Sequence, residues 1–358
     1  MIQGLARGDI VSSFNVFKRV FSAVAAVVIV AGCVLISAPA SAADKPFPVW
    51  LKALKAEARQ KGISDKTIQQ ALPDTLKPIE RIIELDRKQP ESTTTFDDYL
   101  ARIVDRNRVE KGVTRILTYP TLLNRVSAAY GVEREVIVAL WGVETNYGDY
   151  TGGFDIVNAL ATLAYDGRRS DYFRGELLSA LKILDEGHIT QERMKGSWAG
   201  AMGQVQFMPS SFFKFAEDFN KDGRRDIWGT QADVFASAAN YLAKSGWKKG
   251  RPWGRRVVLP DNIDRNLLGV NNTYSLKFWQ DKGVRLPDGD SVPFEGEYQA
   301  SVVQPSGPGT SAYIVYENYQ VILKWNRSSY FATSVGLLAD RLREGTHLQG
   351  KRDGQRGG

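Results

Sequence analysis

The sequence contains very little of the two residue types that most often form crosslinks or bind transition metals. Its 358 residues include one cysteine, Cys33, and two histidines, His188 and His347. A disulfide framework is therefore excluded, and a zinc site is disfavoured because such sites need several Cys or His ligands. Stability must come from an apolar core or from a hard metal ion held by oxygen atoms.

The remaining composition is that of a soluble globular protein, with 43% hydrophobic and 24% charged residues. The length suits one large domain or two to three small ones. Aromatic residues are plentiful at 11%. They serve most often as core, but they also form stacking platforms in clefts that bind carbohydrate.

Residues 1–42 have the pattern of a secretory signal peptide. Lys18 and Arg19 precede an uncharged apolar run over 20–36, and Ala40-Ser-Ala42 fits the small-residue cleavage site. The pattern predicts export to the periplasm. A transmembrane anchor is the alternative, but the run is slightly short for one and ends in a cleavage site.

Cys33 offers a second export alternative. Val30-Ala-Gly-Cys33 resembles the lipobox at which bacterial lipoproteins are cut and acylated. The apolar run continues through 34–36 and the Ala-Ser-Ala site follows it, so simple export is favoured over lipidation at Cys33.

The net charge is +7, and the basic residues are spread out except at 248–256 and in the tail. For an exported protein, the cell wall or a membrane surface is a better polyanionic partner than nucleic acid. A basic solubilising surface is the alternative. We expect a monomer that needs no partner chain, with other cell-wall enzymes as further candidate partners.

Apolar periodicity and breaker residues predict a mainly helical chain with a short β region. No internal repeat is present. A loop is predicted at 91–95, and Pro305-Ser-Gly-Pro-Gly309 is a turn signal. The predicted helices cover 47–61, 64–72, 96–111, 119–130, the segment leading to Glu144, 175–185, 210–219, 231–245 and 328–343, and the predicted strands cover 256–259, 298–303 and 312–325.

The resulting organisation is α+β and mainly α. An N-terminal helical region over 43–115 is followed by a central helical region over 116–254. A small antiparallel β subdomain follows over 255–325, and a C-terminal helix over 326–344 completes the helical body. The tail, 345–358, is rich in glycine and basic residues and is predicted to be disordered.

The segment Ala139-Leu-Trp-Gly-Val-Glu-Thr-Asn-Tyr-Gly148 combines an amphipathic helix with polar and glycine breakers. Val136, Leu140 and Val143 share one apolar face, and Glu144 lies at its edge. A carboxyl group against apolar surface has a raised pKa and can act as a general acid. The alternative is an ordinary surface glutamate near a helix C-terminus.

A glycine-rich strip follows over 195–211, with sequence Lys-Gly-Ser-Trp-Ala-Gly-Ala-Met-Gly-Gln-Val-Gln-Phe-Met-Pro-Ser-Ser. Its glycines permit tight turns and close approach of backbones. Ser197, Gln204 and Gln206 are polar groups in an otherwise apolar stretch and could hydrogen-bond sugar hydroxyl or acetamido groups. The alternative is a buried crossing of closely packed elements.

The segment Asp218-Phe-Asn-Lys-Asp-Gly-Arg-Arg-Asp-Ile-Trp228 matches the first half of an EF-hand loop. Asp218, Asn220 and Asp222 supply side-chain oxygens, and Arg224 would supply its carbonyl. Position twelve is glycine, so the next acidic residue, Asp233, is the candidate closing ligand of a longer loop over 218–233. Calcium is the metal that such oxygen donors favour. The alternative is an acidic turn that caps helices.

Together the three segments resemble the lytic murein transglycosylases of the B type, which are related in core to goose-type lysozymes. The resemblance covers about residues 50–342 and includes Asn158-Ala-Leu-Ala-Thr-Leu-Ala164 and Tyr172-Phe-Arg-Gly-Glu176. It implies that 116–254 is a lysozyme-like catalytic core, completed by the C-terminal helix. It also implies that the chain takes part in cell-wall turnover, acting on peptidoglycan as a lyase without a catalytic cofactor, with at most a structural Ca²⁺.

The resemblance also implies site residues. Glu144 matches the catalytic glutamate of the family, Ser197 and Gln206 match cleft residues that hold the substrate, and Tyr241 and Tyr99 match tyrosines of the active site.

The C-terminal part of the resemblance is less complete. Asn326 matches an asparagine of the cleft. Five residues on, the family has tyrosine where this chain has Phe331, so the neighbouring Tyr330 is the candidate hydroxyl.

The implied reaction uses one enzyme carboxyl group rather than the two of ordinary glycosidases. It would cleave the β-1,4 bond between N-acetylmuramic acid and N-acetylglucosamine and leave a 1,6-anhydromuramyl end. Asp149 and Asp155 are close to Glu144 in sequence, and a carboxylate opposite Glu144 would permit hydrolysis instead. The alternatives are a hydrolytic muramidase, an exported peptidoglycan-binding protein without catalysis, and a calcium-binding structural protein.

Overall fold

The computed structural model describes residues 45–88, 94–293 and 298–356. The predicted signal peptide with Cys33, and part of the loop predicted at 91–95, lie outside these residues. The described part is mainly helical and carries two small antiparallel sheets. None of its helices is both long enough and apolar enough to cross a membrane.

The elements alternate between long stretches of helix and short strands. The helices are α1 Phe47–Gln60, α2 Asp65–Ala71, α3 Glu80–Arg87, α4 Phe96–Ile103, α5 Arg106–Thr118, α6 Pro120–Tyr130, α7 Arg134–Thr145, α8 Ile156–Tyr165, α9 Ser170–Asp185, α10 Pro209–Phe215, α11 Gln231–Lys244, α12 Leu276–Asp281, α13 Glu317–Trp325 and α14 Ser329–Arg356. The strands are β1 Phe154–Asp155, β2 Lys195–Gly196, β3 Gly254–Val257, β4 Tyr274–Ser275, β5 Gln299–Val303 and β6 Ala312–Val315.

The first two helices form as their sequences predict. Trp50, Leu54 and Ala58 recur on one face of α1 and are buried in the main core. The Ser64 hydroxyl accepts a hydrogen bond from the Thr67 N–H and caps α2. Ser64 thus caps the start of the helix predicted over 64–72.

The single helix predicted over 96–111 is wrong. The chain forms α4 and α5 instead, because the Asp105 carboxylate accepts the Arg108 N–H at 3.1 Å and starts a new helix. Helix α5 continues to Thr118, so the region boundary predicted after residue 115 falls inside a helix.

The predicted small antiparallel β region is confirmed. Strands β3, β6, β5 and β4 lie side by side in that order, all antiparallel. They enclose a separate apolar cluster with Trp279 at its centre, whose indole N–H donates to the Ala300 carbonyl at 2.9 Å. The boundary predicted at residue 255 falls inside β3.

The strand predicted over 312–325 is wrong beyond its first four residues. Strand β6 ends at Val315, and α13 begins at Glu317. Asn318, Tyr319, Val321 and Ile322 are buried, a helical spacing that the β-branched and aromatic composition obscured.

The disordered tail predicted at 345–358 is also wrong as far as Arg356, because α14 continues to that residue. A β-carbon at Gly345 would lie 2.6 Å from the Val113 side chain. This glycine therefore permits close packing of α14 against α5 rather than marking the end of order.

Helix α7 is the centre of the main core. Residues from Glu135 to Gly142 are buried on every side, against α14, α5, α11 and α6. A helix enclosed in this way presents its C-terminal end, with Glu144, at a fixed position.

Candidate active site

A strained turn ends α7 directly after Glu144. Asn146 and Tyr147 both have positive φ, 52° and 63°. The buried Tyr147 hydroxyl donates to the Arg108 carbonyl at 2.8 Å and fixes the turn against α5. Gly112 and Gly142 leave room for the tyrosine ring, since a β-carbon at either would lie 2.7 Å or less from a Tyr147 atom.

A Gly142→Ala substitution should therefore destabilise the protein. The added methyl group would meet the Tyr147 ring at 2.7 Å, and overpacking of this kind costs about 1–3 kcal/mol. Denaturant unfolding measures the loss. Gly175→Ala in α9 is the control, because no atom lies within 4 Å of its added methyl group. It should stabilise the helix by about 0.5–1 kcal/mol. Equal effects of the two substitutions would contradict the packing argument.

Glu144 has the environment of a general acid. Its side chain is half-buried, and the burial of its carboxyl group raises the pKa from 4.5 to about 7. The Trp325 indole N–H donates to Glu144 Oε1 at 2.6 Å and opposes this rise. The carboxyl group can therefore be protonated or ionised near neutral pH.

Trp325 is held in place by an aromatic cluster. Its ring lies 4.6 Å from the Tyr241 ring and 5.3 Å from the Phe207 ring, centroid to centroid. The Tyr241 hydroxyl donates to the Lys324 carbonyl at 2.6 Å. Tyr241, a predicted substrate-binding residue, thus also positions Trp325.

Trp325 is a residue of this site that the sequence did not indicate. Its segment was predicted as a strand, so no helix end was expected beside Asn326. The signal in the sequence that could have identified this tryptophan is its position directly before Asn326, a predicted cleft residue.

The glycine-rich strip lies beside the turn that follows Glu144. Strand β1 pairs with β2, so that Phe154 lies directly opposite Gly196. A β-carbon at Gly152 would lie 2.1 Å from the Gly196 carbonyl oxygen, so the two backbones touch. Ser197 lies at this contact, and its side-chain oxygen accepts the Ala201 N–H at 3.0 Å.

Gln206 is tied to the same turn. It has a positive φ of 50°, and its amide nitrogen donates to the carbonyls of Thr151 and Gly203, both at 3.0 Å. The structure thereby brings the strip and the end of α7 together.

Gln204 is not a cleft residue, contrary to the sequence interpretation. It is buried; its Oε1 accepts the Trp141 indole N–H at 2.8 Å and its nitrogen donates to the Trp228 carbonyl at 2.8 Å. It links the strip to α7 inside the core.

Tyr99 and Tyr330 lie beside each other. Their rings are 5.6 Å apart, and the Tyr330 hydroxyl shares a hydrogen bond of 3.2 Å with Ser306. Burial raises the pKa of Tyr99, and the charge of Glu144 raises it further, which places Tyr99 near that carboxyl group. Asn326 is exposed at the C-terminal end of α13, directly after Trp325.

Neither acidic neighbour in sequence faces Glu144. Asp149 pairs with Lys111 and accepts the Asn146 amide at 3.0 Å. Asp155 caps α8 and accepts the Gln191 amide at 3.0 Å. Burial raises the pKa of Glu144, and the Trp325 hydrogen bond lowers it.

The EF-hand-like loop is closed by its own hydrogen bonds. Asp218 accepts the N–H groups of Asp222 and Gly223, at 3.1 and 2.9 Å. Asp222 accepts the Arg224 N–H at 2.9 Å and the Asn220 amide at 3.0 Å. The predicted oxygen donors therefore share one short turn.

Asp233, the predicted closing ligand, faces the loop through hydrogen bonds to its backbone N–H groups. It is fully buried, and its two oxygens accept the N–H groups of Phe219 and Asp226, both at 2.8 Å. It braces the two arms of the loop from within the core. Among the described residues, no three His, Cys, Asp or Glu side chains are grouped so that they could hold a metal ion.

Comparison with known proteins agrees with this arrangement. The family model described as Transglycosylase SLT domain matches residues 46–340. Membrane-bound lytic murein transglycosylase B of Escherichia coli (strain K12) is 34% identical over 246 residues, which is 68% of this chain and 66% of the relative. The matched part is thus just under two thirds of the curated relative.

Two solved structures are also similar. SltB3 from Pseudomonas aeruginosa, in complex with NAG-anhNAM-pentapeptide, has 41% identity and a TM-score of 0.81, covering 84% of this chain and 80% of that one. Slt35 from Escherichia coli, in complex with calcium, has 28% identity and a TM-score of 0.72, covering 83% and 93%. The match of the family model to most of the chain shows that the chain belongs to the Transglycosylase SLT domain family.

Proposed function

We propose that the protein cleaves the β-1,4 bond between N-acetylmuramic acid and N-acetylglucosamine in peptidoglycan without using water. The observation that carries this proposal is the Glu144 carboxyl group, whose pKa is raised to about 7 and which is hydrogen-bonded to Trp325. In the described part of the chain, its two acidic neighbours in sequence, Asp149 and Asp155, are paired elsewhere. This arrangement supplies an acid and then a base from one side chain.

In the first step, protonated Glu144 donates its proton to the glycosidic oxygen as that bond breaks. Positive charge develops at C1 of the muramyl residue. The 2-acetamido carbonyl of the substrate stabilises this charge, so no enzyme nucleophile is required.

In the second step, the Glu144 carboxylate removes the proton of the muramyl C6 hydroxyl. The C6 oxygen attacks C1 and closes the 1,6-anhydro ring. Trp325 stabilises the carboxylate between the steps, because a hydrogen bond to the charged form favours that form. Glu144 ends the cycle protonated, as it began.

We infer that the remaining predicted residues bind the glycan around this carboxyl group. Ser197 and Gln206 lie on the strip packed against the turn after α7. Tyr99 lies close enough to Glu144 for the carboxylate charge to raise the pKa of the tyrosine. Asn326 and Tyr330 extend the same site along the start of α14. With a predicted signal peptide, the protein would act in the periplasm, where its substrate is found.

Mass spectrometry of the products tests the reaction. Muropeptides released from purified peptidoglycan should be lighter by one water molecule than hydrolysed ones, because each carries an anhydro end. Reducing muramyl ends would indicate a hydrolytic muramidase instead. Binding without release of any product would indicate a peptidoglycan-binding protein without catalysis.

We further infer that the loop over 218–233 can hold Ca²⁺ through Asp218, Asn220, Asp222 and the Arg224 carbonyl, with Asp233 as its closing residue. The relative Slt35 is known in complex with calcium. Both oxygens of Asp233 already accept N–H groups of the loop. Affinity should therefore be low, because calcium affinity rises with the number of charged ligands.

Calcium should therefore raise the melting temperature in proportion to the logarithm of its concentration above Kd, and a chelator should reverse the shift. Differential scanning calorimetry measures this effect. Asp222→Ala should abolish the calcium response, whereas Asp261→Ala, an exposed aspartate outside the loop, should retain it. An unchanged response in the Asp222 variant would place calcium elsewhere.

A further inference from the structure

A second cavity lies at the opposite end of α7 from Glu144. It has a volume of about 500 Å³ and is lined by Glu133, which immediately precedes the helix. At 1.5 Å per residue, the helix separates this end from Glu144 by about 16 Å. The cavity also borders the basic segment 248–256, to which the proposed reaction assigns no role.

Two tryptophans and two acids form the fixed wall of the cavity. The Trp247 indole donates to Glu133 at 2.8 Å, and the Trp253 indole donates to Asp340 at 2.9 Å. Glu133 also accepts the Gly250 N–H at 2.7 Å. Both acids therefore already have protein partners, and the wall is preformed.

Arg255 is the cation that remains available. Arg251 pairs with Glu317 at 2.7 Å, and Arg343 pairs with Asp340 at 3.0 Å. Arg255 makes no ion pair in the described part of the chain, and its buried Nε has no hydrogen-bond partner there. It lies beside the Tyr316 hydroxyl, to which it is hydrogen-bonded.

The basic segment adds positive charge at the edge of this cavity. Lys248 and Lys249 are exposed and lie next to Trp247 and Gly250, which line it. No ion pair involving either lysine is found among the described residues. An anion is therefore attracted to the cavity and meets a guanidinium group inside it.

We propose that this cavity binds a carboxylate of the peptide stems of peptidoglycan, as a second contact with the cell wall outside the cleft. The ligand class rests on the proposed function. A guanidinium group binds a carboxylate through two parallel hydrogen bonds, and the indole walls suit the short aliphatic parts of a stem. The concave shape favours an inserted peptide group over a flat membrane surface.

The chain offers a matched control in the next residue. Arg255 and Arg256 are adjacent on β3, so their side chains point to opposite faces of the sheet. Arg255 lines this cavity, whereas Arg256 is exposed and lines a different one. Substituting either removes the same charge from the same strand.

The experiment measures binding by isothermal titration in a Glu144→Gln background, which prevents turnover. The ligands are soluble glycan strands that carry their stems and strands from which an amidase has removed them. Arg255→Gln should weaken binding to stem-bearing strands about 10-fold, the effect of one lost charge-assisted contact, and leave binding to stripped strands unchanged. Arg256→Gln should change neither affinity by more than about twofold. Arg255→Lys, which preserves the charge and is less disruptive, should recover part of the loss.

Equal losses on both kinds of strand, or no loss on either, would overturn the proposal. So would an Arg255-dependent affinity for phosphatidylglycerol vesicles in place of stem-bearing strands. Failure of the proposed function looks different, because the protein with Glu144 intact would then release no anhydromuropeptides from purified peptidoglycan, whatever its affinity for either kind of strand.

Discussion

Glu144→Gln is expected to reduce the release of anhydromuropeptides by at least about 1,000-fold while leaving the fold intact. General acid–base catalysis contributes about 10²–10⁴-fold, and both proposed steps pass through this one side chain. The glutamine oxygen can still accept the Trp325 indole N–H, so the local geometry is preserved. Release of products from purified peptidoglycan measures the loss. Glu135→Gln, near the other end of α7, is the control and should retain activity.

The same variant should be more stable than the wild type at alkaline pH. The pKa of Glu144 is about 7 in the folded protein and 4.5 without burial. Folding therefore favours the protonated form. The stability that this carboxyl group contributes is fully present below pH 4.5 and is lost as the pH rises through 7. A difference of one pKa unit corresponds to about 1.4 kcal/mol of folding stability. The wild type should therefore lose up to about 3 kcal/mol of stability as the pH rises, and the Glu144→Gln variant should not.

Unfolding curves at pH 5 and pH 8.5 would measure this difference. An inactive variant with the same pH dependence of stability as the wild type would mean that Glu144 is needed but has an ordinary pKa. Wild-type activity in the variant would remove Glu144 from the mechanism altogether.

Local sequence was sufficient where neighbouring residues determine the structure. The apolar spacing of α7 placed Glu144 at the edge of the buried face, and Ser64 capped α2 as its position predicts. Such features depend on residues within two turns of each other. The order of the motifs then indicated which of the many glutamates to consider.

Features that depend on distant contacts could not be predicted in this way. Gln204 and Gln206 are two residues apart, yet one is buried against Trp141 and the other lies at the turn after α7. Asp233 was proposed as the residue that closes the loop, but its hydrogen bonds to the N–H groups of Phe219 and Asp226, 14 and 7 residues away, could not be read from the sequence. Gly345 suggested disorder because its packing partner, Val113, is remote in sequence.

Trp325 is the clearest example, since its hydrogen bond to Glu144 spans 181 residues. Trp325→Phe should keep the ring contacts with Tyr241 and Phe207 but remove the indole N–H. The hydrogen bond lowers the pKa of Glu144 against the effect of burial, so its loss should raise that pKa above 7. The protonated acid would then persist to higher pH, but the ionised base needed for ring closure would become less stable.

The expected result is a fall in kcat at pH 7 of about 10- to 100-fold, because a hydrogen bond to a charged group contributes about 1.5–3 kcal/mol. The alkaline limb of kcat/KM should move to higher pH at the same time, which a purely structural loss would not produce. Trp279→Phe removes a buried indole donor in the β region and should lower stability without moving the limb. If the limb stays in place in the Trp325 variant, this indole does not control the proton affinity of Glu144. Burial alone would then set the pKa of the carboxyl group.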